Sequence, residues 1–229
     1  MPTDQPTGVP LPGWTPRPRP PRTAAEGRFC RLEPLDPARH GPALSAANAT
    51  DTAGRMWTYL GYGPFADDGA YTAWLEAQAA LDDPLFHAIV TPEHGAAGLA
   101  SYLRIEPAVG VIEIGHLAFS PRLQRTPAAT EALFLLLRRA FDELGYRRVE
   151  WKCDSLNAPS ARAAARLGFT YEGLFRQATI TKGRNRDTAW YSIIDGEWPA
   201  IRAGFEAWLA PDNFDGTGAQ RRSLQEMRG

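Results

Sequence analysis

"SPRLQRTPAATEALFLLLRRAF", residues 120 to 141, is the stretch on which the fold turns. It reads as a loop that becomes an amphipathic helix from about Pro127 to Leu144. Ala129, Leu133, Leu136, Ala140 and Leu144 keep an i, i+4, i+7 spacing, with Arg138, Arg139, Asp142 and Glu143 expected on the other face. Gly145 stops it. Thr126 is a fair cap, and Pro127 suits the first helical position. A helix start leaves backbone N–H groups unpaired and carries the positive end of the dipole, so an anion is a natural partner. Ala128 and Ala129 are small enough for close approach, and Arg122 and Arg125 stand just outside. A capped surface helix with solvated arginines is the alternative reading of the same residues.

The flanking segments extend this reading. Upstream, "VGVIEIGHLAFSP" is a strand with Gly115 in its middle, where a glycine marks a bulge or a close backbone approach. A bulge there would free backbone groups to pair with an extended ligand, as an added strand would. A pantetheine arm ending in a diphosphate is such a ligand, so the segment suits a coenzyme A thioester. Downstream, "RRVEWKC" is a strand with Val149, Trp151 and Cys153 inward and Glu150 and Lys152 outward. "NAPSARAAARLG" is a short helix with Asn157 as cap, Pro159 in the first turn and Gly168 at its end. The strand–helix–strand unit should be a right-handed parallel crossover.

Before this unit, "RFCRLEPL" reads as a first strand and "PARHGPALSAANA" and "DDGAYTAWLEAQAALDD" as helices. "RMWTYLGYGPF" between them is a loop or broken helix. "PLFHAIVT" and "AAGLASYLRIE" are two further strands. After it come a long hairpin through "KGRNRD", basic enough to meet an acidic substrate but as a hairpin tip better read as solvated, then a closing helix "EWPAIRAGFEAWLA" and a polar tail. The order β-α-α-β-β-β-α-β-α-β-β predicts an α/β (α+β) fold: a mixed, largely antiparallel sheet of about six to seven strands with helices on both faces. Residues 1–27 hold eight of the chain's prolines and read as an extended arm, with Trp14 suited to docking on the body or a partner subunit; an exposed, mobile tail is the alternative reading. The expected division is this arm, a domain over 28–196, and a C-terminal helix and tail over 197–229.

Composition narrows the function. A net charge of −1 argues against a nucleic-acid binder. No apolar run approaches the roughly 18 residues that span a bilayer, and two cysteines, Cys30 and Cys153, fit a reduced cytoplasmic setting. The four histidines show no paired ligand spacing, so no metal is expected.

The block "LAFSPRLQRTPAATEAL…LGYRRVEWKCDSLNAPSARAAARLGFTYEG" resembles the GNAT acetyltransferase superfamily, and within it the branch of ribosomal-protein N-terminal acetyltransferases. That family's pyrophosphate pattern, Gln/Arg-x-x-Gly-x-Gly/Ala, falls on Gln124 to Ala129, with Pro127 in place of glycine. Asn157-x-x-Ser160, Leu167-Gly168-Phe169 and Glu172-Gly173 are similar to that branch's cofactor segment. The resemblance covers about residues 28 to 196. It implies acetyl-CoA as cosubstrate and an N-acetyltransferase moving acetyl to a primary amine, on a peptide or a small molecule, by direct attack. A non-catalytic acyl-CoA-binding or scaffold protein on the same fold is the alternative. No metal, nucleic acid or membrane is implied, and a homodimer is compatible.

Carried over, the backbone of Leu117, Ala118 and Phe119 would pair with pantetheine. Gln124, Arg125, Thr126, Ala128, Ala129 and Thr130 would cradle the diphosphate, and Asn157 would hold the pantetheine arm. Ser160 would face the leaving thiolate; a polar residue in a helix's first turn is its bland reading. An amine of pKa about 8 needs only a modest base. Glu113 is the first candidate and His116 the second, on opposite faces unless a bulge intervenes. A backbone N–H of Leu117 or Ala118 would meet the oxyanion. The position of a glutamate found in some relatives falls on Thr179. Trp57, Tyr59, Tyr62 and Phe65 are candidates for the acceptor pocket, with core packing as their competing role.

Overall fold

The computed structural model describes residues 5–228 and places them in one mixed sheet flanked by helices. The strands are β1 (Ala25–Glu26), β2 (Arg31–Pro34), β3 (Leu85–Thr91), β4 (Gly95–Glu106), β5 (Val111–Phe119), β6 (Arg148–Asp154), β7 (Thr170–Thr181) and β8 (Arg184–Ile194). Their order across the sheet is β1-β2-β3-β4-β5-β6-β8-β7. Among the described residues β5 and β6 form the one parallel pair; the other neighbours run antiparallel. The seven strands read from the sequence are present. The eighth, β1, is two residues of the proline-rich arm laid on β2.

The helices are α1 (Pro37–Asn48), α2 (Asp68–Ala79), α3 (Pro127–Arg138), α4 (Ala158–Leu167), α5 (Trp198–Leu209) and α6 (Leu224–Arg228). Leu44 of α1 and Tyr71 and Leu75 of α2 pack on Phe86, Leu99 and Ala118 of one sheet face. Leu133 and Leu136 of α3, Ala164 of α4 and Phe205 of α5 pack on Ile112, Ile114, Val149 and Ile193 of the other. Each such buried leucine contributes about 2 kcal/mol from area removed from water.

The α3 helix departs from its amphipathic pattern. Every residue from Ala128 to Leu137 is buried, Glu131 included, and the helix runs on as a wider π turn over Arg139–Glu143. Arg139, expected in solvent, is 3% exposed. The reason is the arm. The Arg139 guanidinium donates to the carbonyls of Thr23 and Ala24 at 2.9 and 2.8 Å. Glu131 accepts the backbone N–H groups of Arg28, Phe29 and Cys30 at 2.7, 2.6 and 2.8 Å. Helix polarity that looked like a wetted face is therefore the glue for the chain's first segment.

The arm lies against the body for much of its length. Trp14 donates its indole N–H to Ala108 O at 2.8 Å, in the β4–β5 turn, with the Arg17 guanidinium 4.4 Å from its ring centre. Tyr146 O–H donates to Pro18 O, and Arg22 binds the carbonyls that end α2. The C-terminal segment is likewise more than a polar tail. Leu224 is buried, Asn213 bonds the carbonyls of Trp208 and Arg222, and α6 packs on α5. Residues 1–4 of the arm and Gly229 of the tail lie outside the described residues.

Candidate active site

The parallel pairing of β5 with β6 lasts for three residues, Val111↔Arg148, Ile112↔Val149 and Glu113↔Glu150. Beyond it β5 keeps only β4, and β6 keeps only β8. The strands splay, and the edge of β5 from Ile114 to Phe119 has no strand partner on that side. A buried sheet edge left open in this way offers backbone donors and acceptors to a ligand. The starts of α3 and α4, which follow β5 and β6 directly, lie at the open end of the splay.

Local chemistry explains each start. Thr126 caps α3, accepting Ala129 N–H at 3.2 Å and donating its hydroxyl to Leu123 O at 2.7 Å. Thr126 N–H binds Leu123 O, and Pro127 has no N–H. Of the cradle's expected donors, those of Arg125, Ala128 and Thr130 are therefore left without a partner among the described residues. Arg125 sits at φ +62°, which turns the loop sharply into the helix. Arg122 and Arg125 are exposed and enter no ion pair among the described residues. Gln124 spends its side chain on Phe119 O, at 2.7 Å, so that carbonyl is already partly used.

At α4 the expected cap is present. Asn157 Oδ1 accepts Ser160 N–H at 3.1 Å, Pro159 lies in the first turn, and Gly168 closes the helix at φ +103°. Asn157 Nδ2 makes no bond among the described residues. Ser160 Oγ accepts the Trp151 indole N–H at 3.0 Å, and its hydroxyl faces the Cys153 thiol. The Cys153 thiol is pushed up by burial.

On the other face of the sheet the two candidate bases come together. β5 carries a bulge: Ala118 pairs with Leu99 and Gly115 with Ser101, so His116 and Leu117 share one position of β4. His116 takes the strain, at φ +52°. Strand alternation alone would send Glu113 and His116 to opposite sides; the bulge returns His116 to the side of Glu113. Gly115 keeps the approach close, since a Cβ there would meet Leu103 at 3.0 Å and Glu113 Oε1 at 3.4 Å.

Glu113 is 4% exposed, and its Oε2 takes both Arg104 at 2.6 Å and Lys152 at 2.9 Å. Its other oxygen lies toward Gly115. Lys152 also binds Glu150 at 2.7 Å, and Glu150 binds Arg148 at 2.9 Å. Glu150 and Lys152 were expected outward and do face away from the α3 side, yet both are nearly buried. Lys152 is shut in there by the Trp190 ring, 3.8 Å away, and farther along the β7–β8 hairpin Lys182 donates to Trp57 O at 2.7 Å. Arg148 in turn holds Glu172 well below the usual carboxylate range, to about 2.

The His116 ring lies 5.7 Å from Tyr62 and 5.2 Å from Phe86. Burial, with the charges of Arg104 and Arg186, lowers its pKa to about 4. Trp57 and Phe65 pack edge to face at 5.6 Å among Tyr71 and Trp74, in the core of the α1–α2 side. Tyr62 reaches His116, while Tyr59 O–H crosses to Leu156 O at 3.0 Å. Thr179 pairs with Arg186 on the hairpin and supplies no carboxylate. Sequence reasoning missed Lys152 and Arg104, and it weighed Arg186 only as part of the basic hairpin segment "KGRNRD". The alternation of "VEWKC" held the only hint of the first, a lysine two residues from a glutamate on one strand face.

Two open clefts of about 340 and 320 Å³ lie elsewhere, beside Glu131 and Glu206 and beside Glu33 and His40, and contain none of the expected site residues. Among the described residues no group of three or more His, Cys, Asp or Glu could hold a metal, and no helix is long and apolar enough to cross a membrane.

The chain is similar to known proteins in sequence and fold. Over 95% of this chain and 99% of the other, a GCN5-related N-acetyltransferase from Brucella melitensis is 50% identical, with a TM-score of 0.93. A probable acetyltransferase of the GNAT family from Chromobacterium violaceum is 46% identical over 87% of this chain and 100% of its own, with a TM-score of 0.78. The uncharacterized N-acetyltransferase YnaD of Bacillus subtilis is 34% identical over 87 residues, 38% of this chain; the match spans 50% of YnaD. The acetyltransferase (GNAT) domain matches residues 30–170, more than half of the chain, which therefore belongs to the GNAT acetyltransferase family.

Proposed function

We propose that this protein transfers an acetyl group from acetyl-CoA to a primary amine, on a small molecule or a peptide N-terminus, by direct attack. One observation carries the reading: β5 and β6 part after three paired residues, opening an unpaired strand edge that ends at two helix starts. The cofactor would bring a thioester carbonyl open to attack by an amine. The residues present fit it. The N–H groups of Arg125, Ala128 and Thr130, with Arg122 and Arg125 outside, suit a diphosphate. The β5 edge suits the amide-bearing arm, and Asn157 Nδ2 has a donor to spare.

The chain's own groups divide by sheet face. Ser160, in the first turn of α4, stands on the α3–α4 side with a proton to give to a departing thiolate, and the helix dipole favours negative charge there. Glu113 and His116 stand on the opposite side, where an amine would give up its proton. Leu117, in the bulge, lies on the strand between and would offer its N–H to charge developing on the acyl oxygen, since Ala118 pairs with Leu99 in the β4 ladder. An amine entering from the Glu113 side and a thiol leaving on the Ser160 side would meet in the gap.

The test is a panel of primary amines at saturating acetyl-CoA, read by release of free thiol. Turnover with at least one amine, confirmed by the mass of the product, is expected. Tight acetyl-CoA binding with no turnover on any amine would instead assign a scaffold.

A further inference from the structure

The register of the sheet puts more on the acceptor side than Glu113 and His116. Glu113 lies beside Glu150, which is opposite Ser192; Lys152 is opposite Trp190, and Asp154 opposite Thr188. Alternation along β8 then brings Arg186, Thr188, Trp190 and Ser192 onto that same face. Three side-chain groups around it are buried and have no hydrogen-bond partner among the described residues: Tyr62 Oη, Trp190 Nε1 and Arg186 Nε. All three can donate.

Each carboxylate of this face is already engaged. Glu113 holds Arg104 and Lys152, Glu150 holds Lys152 and Arg148, Glu172 holds Arg148, and Asp154 accepts Leu156 N–H. Arg186 enters no ion pair among the described residues. Its charge is nonetheless felt inside the site, since it helps hold the His116 imidazole neutral. Buried donors without acceptors are costly and call for a partner from outside the chain. The diphosphate cradle is not that partner's seat, because the α3 and α4 starts follow strands whose apolar residues pack the other face.

Building on the acetyl-transfer reading, we propose that the acceptor is an amine carrying an acidic oxygen group, a carboxylate or a phosphate, near its nitrogen. Arg186 clamps that group, and Trp190 Nε1 and Tyr62 Oη complete its hydrogen bonds. A forked guanidinium suits either oxyanion, and the lack of a spare carboxylate on this face disfavours polyamines.

The experiment compares an α-amino acid, its amide and its aminophosphonate analogue across side chains, measuring kcat/KM by thiol release. The acid or the phosphonate is expected to exceed the amide by about tenfold or more. Whichever oxyanion is preferred identifies the source. In Arg186→Gln the preference should collapse to about one, with Arg186→Lys between, and acetyl-CoA affinity by calorimetry should stay within about twofold. Amides turned over as well as acids, a preference that survives Arg186→Gln, or an equal loss of acetyl-CoA affinity would each overturn the proposal while leaving acetyl transfer standing. Absence of turnover with every amine removes the transfer reading, and the proposal with it.

Discussion

Lys152 Nζ lies 2.9 Å from Glu113 Oε2, joining β6 to β5 where the two strands stop pairing. The ammonium also sits 3.8 Å from the centre of the Trp190 ring and 2.7 Å from Glu150. A shared cation thus bridges the hinge of the splay and fixes the proposed base. Removing it would leave two nearly buried carboxylates side by side, a change that typically costs about 3 kcal/mol or more. Lys152→Met is expected to lower the urea midpoint accordingly, and adding Glu150→Gln should recover part of the loss.

Glu113→Gln should cut turnover at neutral pH by about a hundredfold or more, the usual contribution of a positioned base. Acetyl-CoA affinity should change by no more than about twofold, because the cradle lies at the other end of β5. Steady-state kinetics beside calorimetry decides it, and full turnover would pass the role to His116.

The pH profile separates the two bases. The folded His116 pKa is lowered to about 4, so its imidazole is neutral throughout the usual assay range. The rise of kcat/KM with pH should then follow the amine, near 8 for a free α-amino group, with no inflection at about 6.5. An inflection there that vanishes in His116→Gln would contradict the packed, neutral ring.

His87 bears on stability rather than turnover. It is fully buried beside Tyr102, neither ring nitrogen has a partner among the described residues, and burial lowers its pKa to about 3. The folded value lies below the unfolded one, so between about 6.5 and 3 the unfolded chain holds a proton that the native chain does not. Stability is present in full above about 6.5 and is lost as pH falls through that window. His87→Leu should flatten urea midpoints measured from pH 7 to 4, saving on the order of 3 kcal/mol at the acid end.

Asn157 has two roles that one atom each can report. Asn157→Asp keeps the oxygen that caps α4 and should hold stability within about 0.5 kcal/mol, whereas Asn157→Ala should lose about 1 kcal/mol. Both lose the amide donor, so both should weaken acetyl-CoA binding. If only the alanine variant binds poorly, Asn157 is a cap and nothing more.

Glu131→Ala would strand the three N–H groups of Arg28, Phe29 and Cys30 that its carboxylate now accepts. A loss of about 4 kcal/mol is expected in chemical denaturation, and Glu131→Gln should retain part of it.

Much of this was legible in the sequence where the determinants are local. The cap, proline and terminal glycine of α4 lie within twelve residues of one another, and all are used as read. Strand positions followed from alternation. What alternation cannot report is whether a face is covered: Lys152 looked solvated because Trp190 and Glu113, which enclose it, come from other strands of the chain. The bulge at His116 was foreseen only as a condition, since it depends on register with β4 and no glycine occupies the strained position. Arg139 misled for a related reason. Its partners are two carbonyls more than a hundred residues away.

Those two carbonyls set a practical boundary. The family match begins at residue 30, but a chain begun there would lack Thr23 and Ala24, and the buried Arg139 guanidinium would keep only Glu143, 3.4 Å away. Tyr146 and the β4–β5 turn would lose their contacts with Pro18 and Trp14 as well. Trimming to the inherited segment would remove part of what folds, and the shortened protein should aggregate on expression where one kept from residue 5 onward does not.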